Sequence, residues 1–294
     1  MSSVPAPTSI YSPLCPACQA PLDDVSRHCP ACGRDIGAPN VRAASTTAEA
    51  EALTRRFGVA QNAAEASGTG EVFRQFRDAV QQQGSVVIAL PAAVARNMVV
   101  DSRTIYVNYE RLVHAGVRTA AVFAEDSHRR AVAGSLFGGY ADSICYGVLS
   151  LTGAGLPTYG DIFCRLRAVT VELRASLLEE NSYLFVSRRK PRIDDPIPAG
   201  YRAPWHGRHI LAAAKLGPRL RPENTITDWQ ELLVWSDGVD RTQDEFIEVH
   251  LFEGFNLYSI ESLVPVKRKR SRDGELDVKA AMAAFSKHFA ARKS

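Results

Sequence analysis

Two copies of Cys-Pro-Ala-Cys, Cys15–Cys18 and Cys29–Cys32, stand ten residues apart near the start of the chain, and nothing else in the sequence restricts local folding as tightly. Each short turn brings two sulfurs together. Two such turns facing one another supply four thiolates, the donor set of a tetrahedral structural zinc ion. Gly33, directly after the second pair, relaxes the backbone so that amides can point at sulfur. The segment has almost no apolar residues with which to build a core, so bound metal is its main source of folding energy. The reading is one zinc on Cys15, Cys18, Cys29 and Cys32, with neighbouring His28 not needed as a ligand.

This pattern resembles the short zinc ribbons of the rubredoxin-like type. Ribbons of that type bind nucleic acid, dock partners or cap larger domains. Recognition of single-stranded nucleic acid needs exposed aromatic rings beside positive charge. Here Arg27 and Arg34 are the basic groups near the cysteines, and aromatics are few, so docking or capping is expected.

The rest of the 294 residues suits one medium domain with small appendages. Apolar residues make up 46% and charged residues 23%, as in ordinary globular proteins, and no apolar run approaches the roughly 18 residues of a membrane span. The first residues, MSSVPAPTSIYSPLCP, lack a basic start followed by an apolar block, so the expectation is a cytoplasmic protein whose paired cysteines ligate metal. Cys145 and Cys164 fall instead in apolar, strand-like runs. A net charge of +3 argues for no particular partner. The run Lys267–Arg272, with five cations, reads either as a contact for a polyanion or as a solvated linker.

Four parts follow: residues 1–40, a disordered start and the ribbon; 41–70, a helical connector; 71–266, the main domain; and 267–294, the basic segment and a terminal helix. Val72, Phe73, Phe76 and Val80 share one helical face, and SVVIAL (85–90) is a buried strand. Helical spacing recurs over 104–117, 127–137, 206–216, 225–235, where Thr227 is an N-cap candidate, and 275–294. SICYGVLSL (143–151) fits helix or strand, whereas 159–171 and SYLFVS (182–187) read as strands. Residues 188–205 hold four prolines and read as a long exposed loop. Residues 245–266 read as two strands around Glu253-Gly254. Short strands among helices without regular βαβ units predict an α+β fold: a zinc ribbon, then a mixed body with a split, mostly antiparallel β core.

Walker, GxGxxG, HExxH and GxSxG patterns are all missing from the sequence. His206 and His209 lie at metal-compatible helical spacing, but no carboxylate stands at a neighbouring ligand position. Two segments remain. In 156–186, Tyr159-Gly160-Asp161 opens an alternating strand, Arg174-Ala175-Ser176 follows, and Glu180-Asn181-Ser182 forms a turn. In 244–263, Glu248 stands within Phe246-Ile247-Glu248-Val249-His250, ahead of Gly254. Together they resemble the middle and late strands of toxin-like ADP-ribosyltransferases, including domains appended to phage head proteins.

The resemblance implies NAD as substrate, Glu248 as the catalytic carboxylate, and Tyr159, Arg174 and Ser182 in the NAD site. A fixed carboxylate stabilises the oxocarbenium-like ribosyl cation that forms as nicotinamide leaves. Glu245 and Glu253 are less well placed rivals. Such enzymes grip NAD with an arginine or histidine on the first core strand. SVVIAL has neither, so Arg96 or Arg103 would have to substitute. Read from alternation alone, Glu248 is equally a solvent-facing strand residue, and Arg165, Arg167 and Arg174 are either an anion site or an exposed strand face. Two functions follow: an NAD-using ADP-ribosyltransferase-like enzyme, a toxin or defence effector acting on a protein or nucleic-acid acceptor, with the ribbon as targeting module, or a non-enzymatic adaptor docking nucleic acid or protein through the ribbon and basic run.

Overall fold

The β-branched and apolar runs form the strands of one sheet in the computed structural model, which describes residues 14–108, 111, 124–190, 195–241 and 243–290. The strands are β1 (Ser85–Leu90), β2 (Ile144–Ser150), β3 (Ile162–Leu166), β4 (Ala175–Leu178), β5 (Arg202–Pro204), β8 (Glu248–Phe252) and β9 (Ile260–Pro265). They lie in the order β5-β4-β8-β2-β1-β3-β9, and every pairing is antiparallel. A separate two-stranded sheet joins β6 (Val234–Trp235) to β7 (Glu245–Phe246). The fold is α+β.

Strand alternation divides the sheet into two faces. On one, Ile88, Leu149, Cys164, Leu177, Val249 and Leu251 are buried in the main core. Helices α2 (Thr47–Ala66), α3 (Gly70–Gln83), α4 (Ala92–Val100), α8 (Arg208–Leu216), α9 (Ile226–Leu233) and α10 (Arg272–Ala290) pack against them. Phe73, Phe76 and Val80 of α3 are all buried, as their helical spacing requires. On the other face, Ile144, Leu178 and Phe252 meet Phe137 of α5 (Ala124–Phe137) and Phe185 of α7 (Ser182–Arg189). Val87, Val148 and Phe163 continue that face as a further cluster.

The segment read as a connector lies against the body. Glu49 of α2 is buried, takes the amide of Gly200 at 2.6 Å and pairs with Arg202 of β5. The ambiguous run 143–151 is strand β2, with Cys145 and Leu149 toward the main core. At its end, Gln230 Oε1 accepts the Leu151 amide at 2.7 Å and so ties α9 to the sheet.

Several local readings change. SYLFVS is the start of α7, because the Asn181 side chain accepts the Tyr183 amide at 2.8 Å and caps a helix there. A six-residue apolar run fits either period, so capping chemistry decides. Thr225, with Asp228 closing a capping box, takes the N-cap role expected of Thr227. Residues 104–108 are not helical, and Tyr106 bridges Phe255; apart from Arg111, the remainder of the 104–117 reading lies outside the described residues. Of the disordered start expected over residues 1–14, residues 1–13 lie outside them too, and Leu14 bridges Pro21. In the Glu253-Gly254 turn it is Glu253 that has the positive φ, +64°. Gly254 answers a different need: a Cβ there would stand 2.3 Å from the Tyr106 carbonyl oxygen.

Candidate functional site

The two Cys-Pro-Ala-Cys turns are near copies of one another. In the first, the Cys15 amide donates to Ala20 O and the Gln19 amide to Cys15 O; in the second, Cys29 donates to Arg34 O and Gly33 to Cys29 O. The residue after each turn is left-handed, Gln19 at φ +58° and Gly33 at +73°. Glycine takes that conformation freely, whereas glutamine takes it against its Cβ.

The four sulfurs lie within 4.8 Å of one another, with Cys15–Cys32 and Cys18–Cys29 both at 3.7 Å. A tetrahedral ion with metal–sulfur bonds of about 2.3 Å separates its sulfurs by about 3.8 Å. The cluster fits a metal ion such as zinc, and no other residue is required. Backbone amides of Cys18 and Ala17 pull the Cys15 thiol down to about 6. Cys18 is pushed up to about 12: the Ala20 amide acts the other way, but desolvation and the adjoining sulfurs outweigh it. Cys15 and Cys18 do not ionise side by side without a cation to neutralise them. By contrast, Cys145 and Cys164 sit in apolar strands, where burial raises both thiols.

The ribbon is fastened to the body. Arg42, on α1 (Pro39–Ala44), donates to Ser26 O at 2.7 Å, Asp23 O at 2.9 Å and Gly37 O at 3.1 Å. Arg27 and Asp35 close the ribbon's second loop with a 2.8 Å ion pair.

Glu248 opens β8, in register with Val148 on one side and Leu178 on the other. It is 7% exposed. The Ser182 amide donates to Glu248 Oε2 at 2.9 Å, and the Ser182 hydroxyl bonds the same oxygen. His250 Nε2 lies 3.1 Å from that oxygen and 3.4 Å from Ser182 Oγ. The Phe137 ring meets the imidazole edge-on at 4.7 Å.

Ser182 is placed by the turn that leaves β4. Lys215 donates to Glu179 O at 2.5 Å and to Phe246 O at 3.2 Å, which ties the turn to β7. Arg56 pairs with the Glu179 carboxylate at 2.5 Å. Burial raises the Glu179 pKa against the pull of Arg56, Lys215 and Arg189. Glu248 therefore meets the first amide of α7, where the helix dipole favours negative charge. The three side chains share one point rather than forming a relay: the same imidazole nitrogen faces both serine and carboxylate, so no triad-like proton chain runs through the histidine.

Other expected site residues lie elsewhere. Tyr159 ends a short turn in the Val87–Phe163 cluster, with Arg241 over its ring at 4.8 Å. Arg174 donates to Gly254 O at 3.0 Å and Phe252 O at 3.1 Å, bracing the end of β8 opposite Glu248, roughly 13 Å along the strand. Burial lowers its pKa. Arg96 pairs with Asp277, Arg103 with Asp101 and Arg165 with Glu261; the Arg167 guanidinium lies over Phe289. Glu245 pairs with Arg219 at the surface. The structure thus brings Ser182 to Glu248 and disperses Tyr159 and Arg174. It adds His250, which the two-residue strand period places on Glu248's face. In the basic run, Arg268 and Arg270 are committed to Asp161, while Lys267, Lys269 and Arg272 are exposed.

Among the described residues no helix is long and apolar enough to cross a membrane. No family model matches the chain, and no curated protein matches it.

Proposed function

We propose that this chain is an ADP-ribosyltransferase-like enzyme that cleaves NAD, with Glu248 as catalytic carboxylate and zinc in the ribbon. The observation that supports it is the convergence of Glu248, Ser182 and His250 at one point on the sheet. Ser182 and His250 hold the carboxylate in one orientation before substrate arrives. In that role it faces the ribosyl cation as the nicotinamide bond breaks, and the acceptor, protein or nucleic acid, attacks the opposite side of the sugar.

Glu248→Gln keeps the acceptor for the Ser182 amide and removes the charge. On this reading it lowers NAD turnover by a factor on the order of a hundred while NAD binding is kept, since the lost interaction is strongest in the transition state. The measurement is release of nicotinamide from labelled NAD in the presence of a cell extract as acceptor source. Full turnover in the variant defeats the assignment of Glu248.

One observation favours a second reading, a non-enzymatic adaptor. A carboxylate that is 7% exposed and caps a helix has a structural use without any substrate. Meanwhile Pro16-Ala17 and Pro30-Ala31 at the ribbon's tips are exposed and available to a partner. A wild type that neither binds nor consumes NAD leaves this reading standing.

A further inference from the structure

Asn40 is an amide buried to 2% exposure on a helix only six residues long. Its Nδ2 shares its two hydrogens among His250 O at 2.8 Å, Ser176 Oγ at 3.0 Å and Arg174 O at 3.1 Å. It thereby clasps β4 and β8 where they pair, Ser176 opposite His250. Its Oδ1 has no partner among the described residues, and Asn40 lines, with Ser176, His250, Tyr140 and Arg202, a cavity of about 20 Å³, room for one water. Two residues further along the same helix, Arg42 grips three carbonyls of the ribbon. α1 therefore has a hold on the metal-binding segment and a hold on the strand that carries Glu248 and His250.

We propose that metal in the ribbon controls the order of the Glu248–Ser182–His250 site, with Asn40 as the positioning residue. This control rests on the reading of that cluster as the functional site. Without metal, the ribbon's own apolar cluster is reduced to Leu22 and the half-buried Ile36. Such a segment unfolds when its metal leaves. The carbonyls of Asp23, Ser26 and Gly37 then no longer converge on Arg42. A helix of six residues does not persist without tertiary contacts. As α1 frays, Asn40 leaves the sheet, and its three acceptors lose that donor. On its far side β4 pairs with the three-residue β5, the end of the sheet. Loosening is therefore confined to the β5-β4-β8 end, and the imidazole of His250 moves with its backbone.

The test is hydrogen exchange on the full chain, zinc-loaded and chelator-stripped. Stripping accelerates exchange of the amides of 175–178 and 248–252 on the order of tenfold, while 85–90 and 162–166 are unchanged. Asn40→Ala shows the same acceleration with its zinc still bound. Acceleration confined to the ribbon, or spread equally over all strands, overturns the proposal. Should Asn40→Ala fail to fold, Arg42→Gln replaces it: it cuts the hold on the ribbon without substituting Asn40, α1 then frays with zinc bound and exchange at 248–252 accelerates, and unchanged exchange there overturns the proposal too. The readout is independent of turnover. A chain that never consumes NAD still shows or lacks the coupling, so failure of the catalytic reading and failure of this one are separable.

Discussion

The ribbon and the sheet hold together by different means. The sheet buries large side chains such as Phe73, Phe76, Leu149 and Leu177, each worth about 1.5–3 kcal/mol. The ribbon buries little beyond Leu22 and its own cysteines. Its four sulfurs fit a metal ion such as zinc, and a structural zinc contributes on the order of 10–16 kcal/mol. A region held by many small contacts loses stability gradually as they are removed. A region held by one ion loses it all at once. The contrast also separates the six cysteines into two chemical populations, one poised for metal and one inert.

The largest effect expected is therefore at a ligand. Cys15→Ser loses the metal and exposes the ribbon to proteolysis, while the far-UV signal of the body is kept. Elemental analysis showing no zinc in the wild type breaks the comparison at its root. Alkylation sharpens it: at neutral pH the stripped protein modifies Cys15, Cys18, Cys29 and Cys32, whereas Cys145 and Cys164 react only after global unfolding. Early labelling of Cys164 contradicts the burial found here.

Next in size is Glu248→Ala, which leaves the first amide of α7 and the Ser182 hydroxyl without their carboxylate. The expected loss is about 3 kcal/mol in urea unfolding, at the upper end for an abandoned buried partner. Unlike the ribbon substitution, it leaves zinc content unchanged. A loss near zero removes the structural role and leaves catalysis as the reason for a carboxylate there.

Asp161 tests whether the basic tail is part of the body. It accepts the Ala92 amide at 3.0 Å and pairs with Arg268 at 2.5 Å and Arg270 at 3.3 Å. Desolvation acts to raise its pKa, but Arg268, the Ala92 amide and Arg270 together hold it below the usual 3.8. A carboxylate depressed in the folded state stabilises that state above its ordinary pKa, and the contribution is lost as pH falls through the depressed value. The junction of β9 and α10 should thus become protease-sensitive in acid below about pH 4, with the ribbon's metal also lost there as its thiolates protonate. Asp161→Asn reproduces the first effect at neutral pH without the second, at about 1–3 kcal/mol. Equal protease resistance of the variant and wild type rejects the clamp.

The smallest effect comes from backbone geometry. Gln19→Gly relieves a left-handed glutamine and should strengthen the ribbon by about 0.5–1 kcal/mol, a two- to fivefold gain in zinc affinity by competition with a chelator. Gly33→Ala should move affinity the other way. No difference between the two variants shows that the turns tolerate either residue.

The expectations that held rest on local chemistry. Cys15, Cys18, Cys29 and Cys32 meet because a short turn dictates where its sulfurs point, whatever surrounds it. The helical face of α3 and the alternation of β3 follow from period alone. The reading of 182–187 as a strand missed a cap one residue upstream, since a run so short satisfies both periods. Nothing in Tyr159 or Arg174 announces which way a distant part of the sheet will turn them.

The sequence by itself determined the four-cysteine cluster, the α+β class and the positions of most elements, because these depend on neighbours within a few residues. Only the tertiary structure decided the company Glu248 keeps. Ser182 reaches it across 66 residues, and Asn40 reaches the His250 carbonyl across 210. Such contacts depend on strand order and register, which no local period encodes. A one-residue slip of β8 would turn Glu248 and His250 to the opposite face.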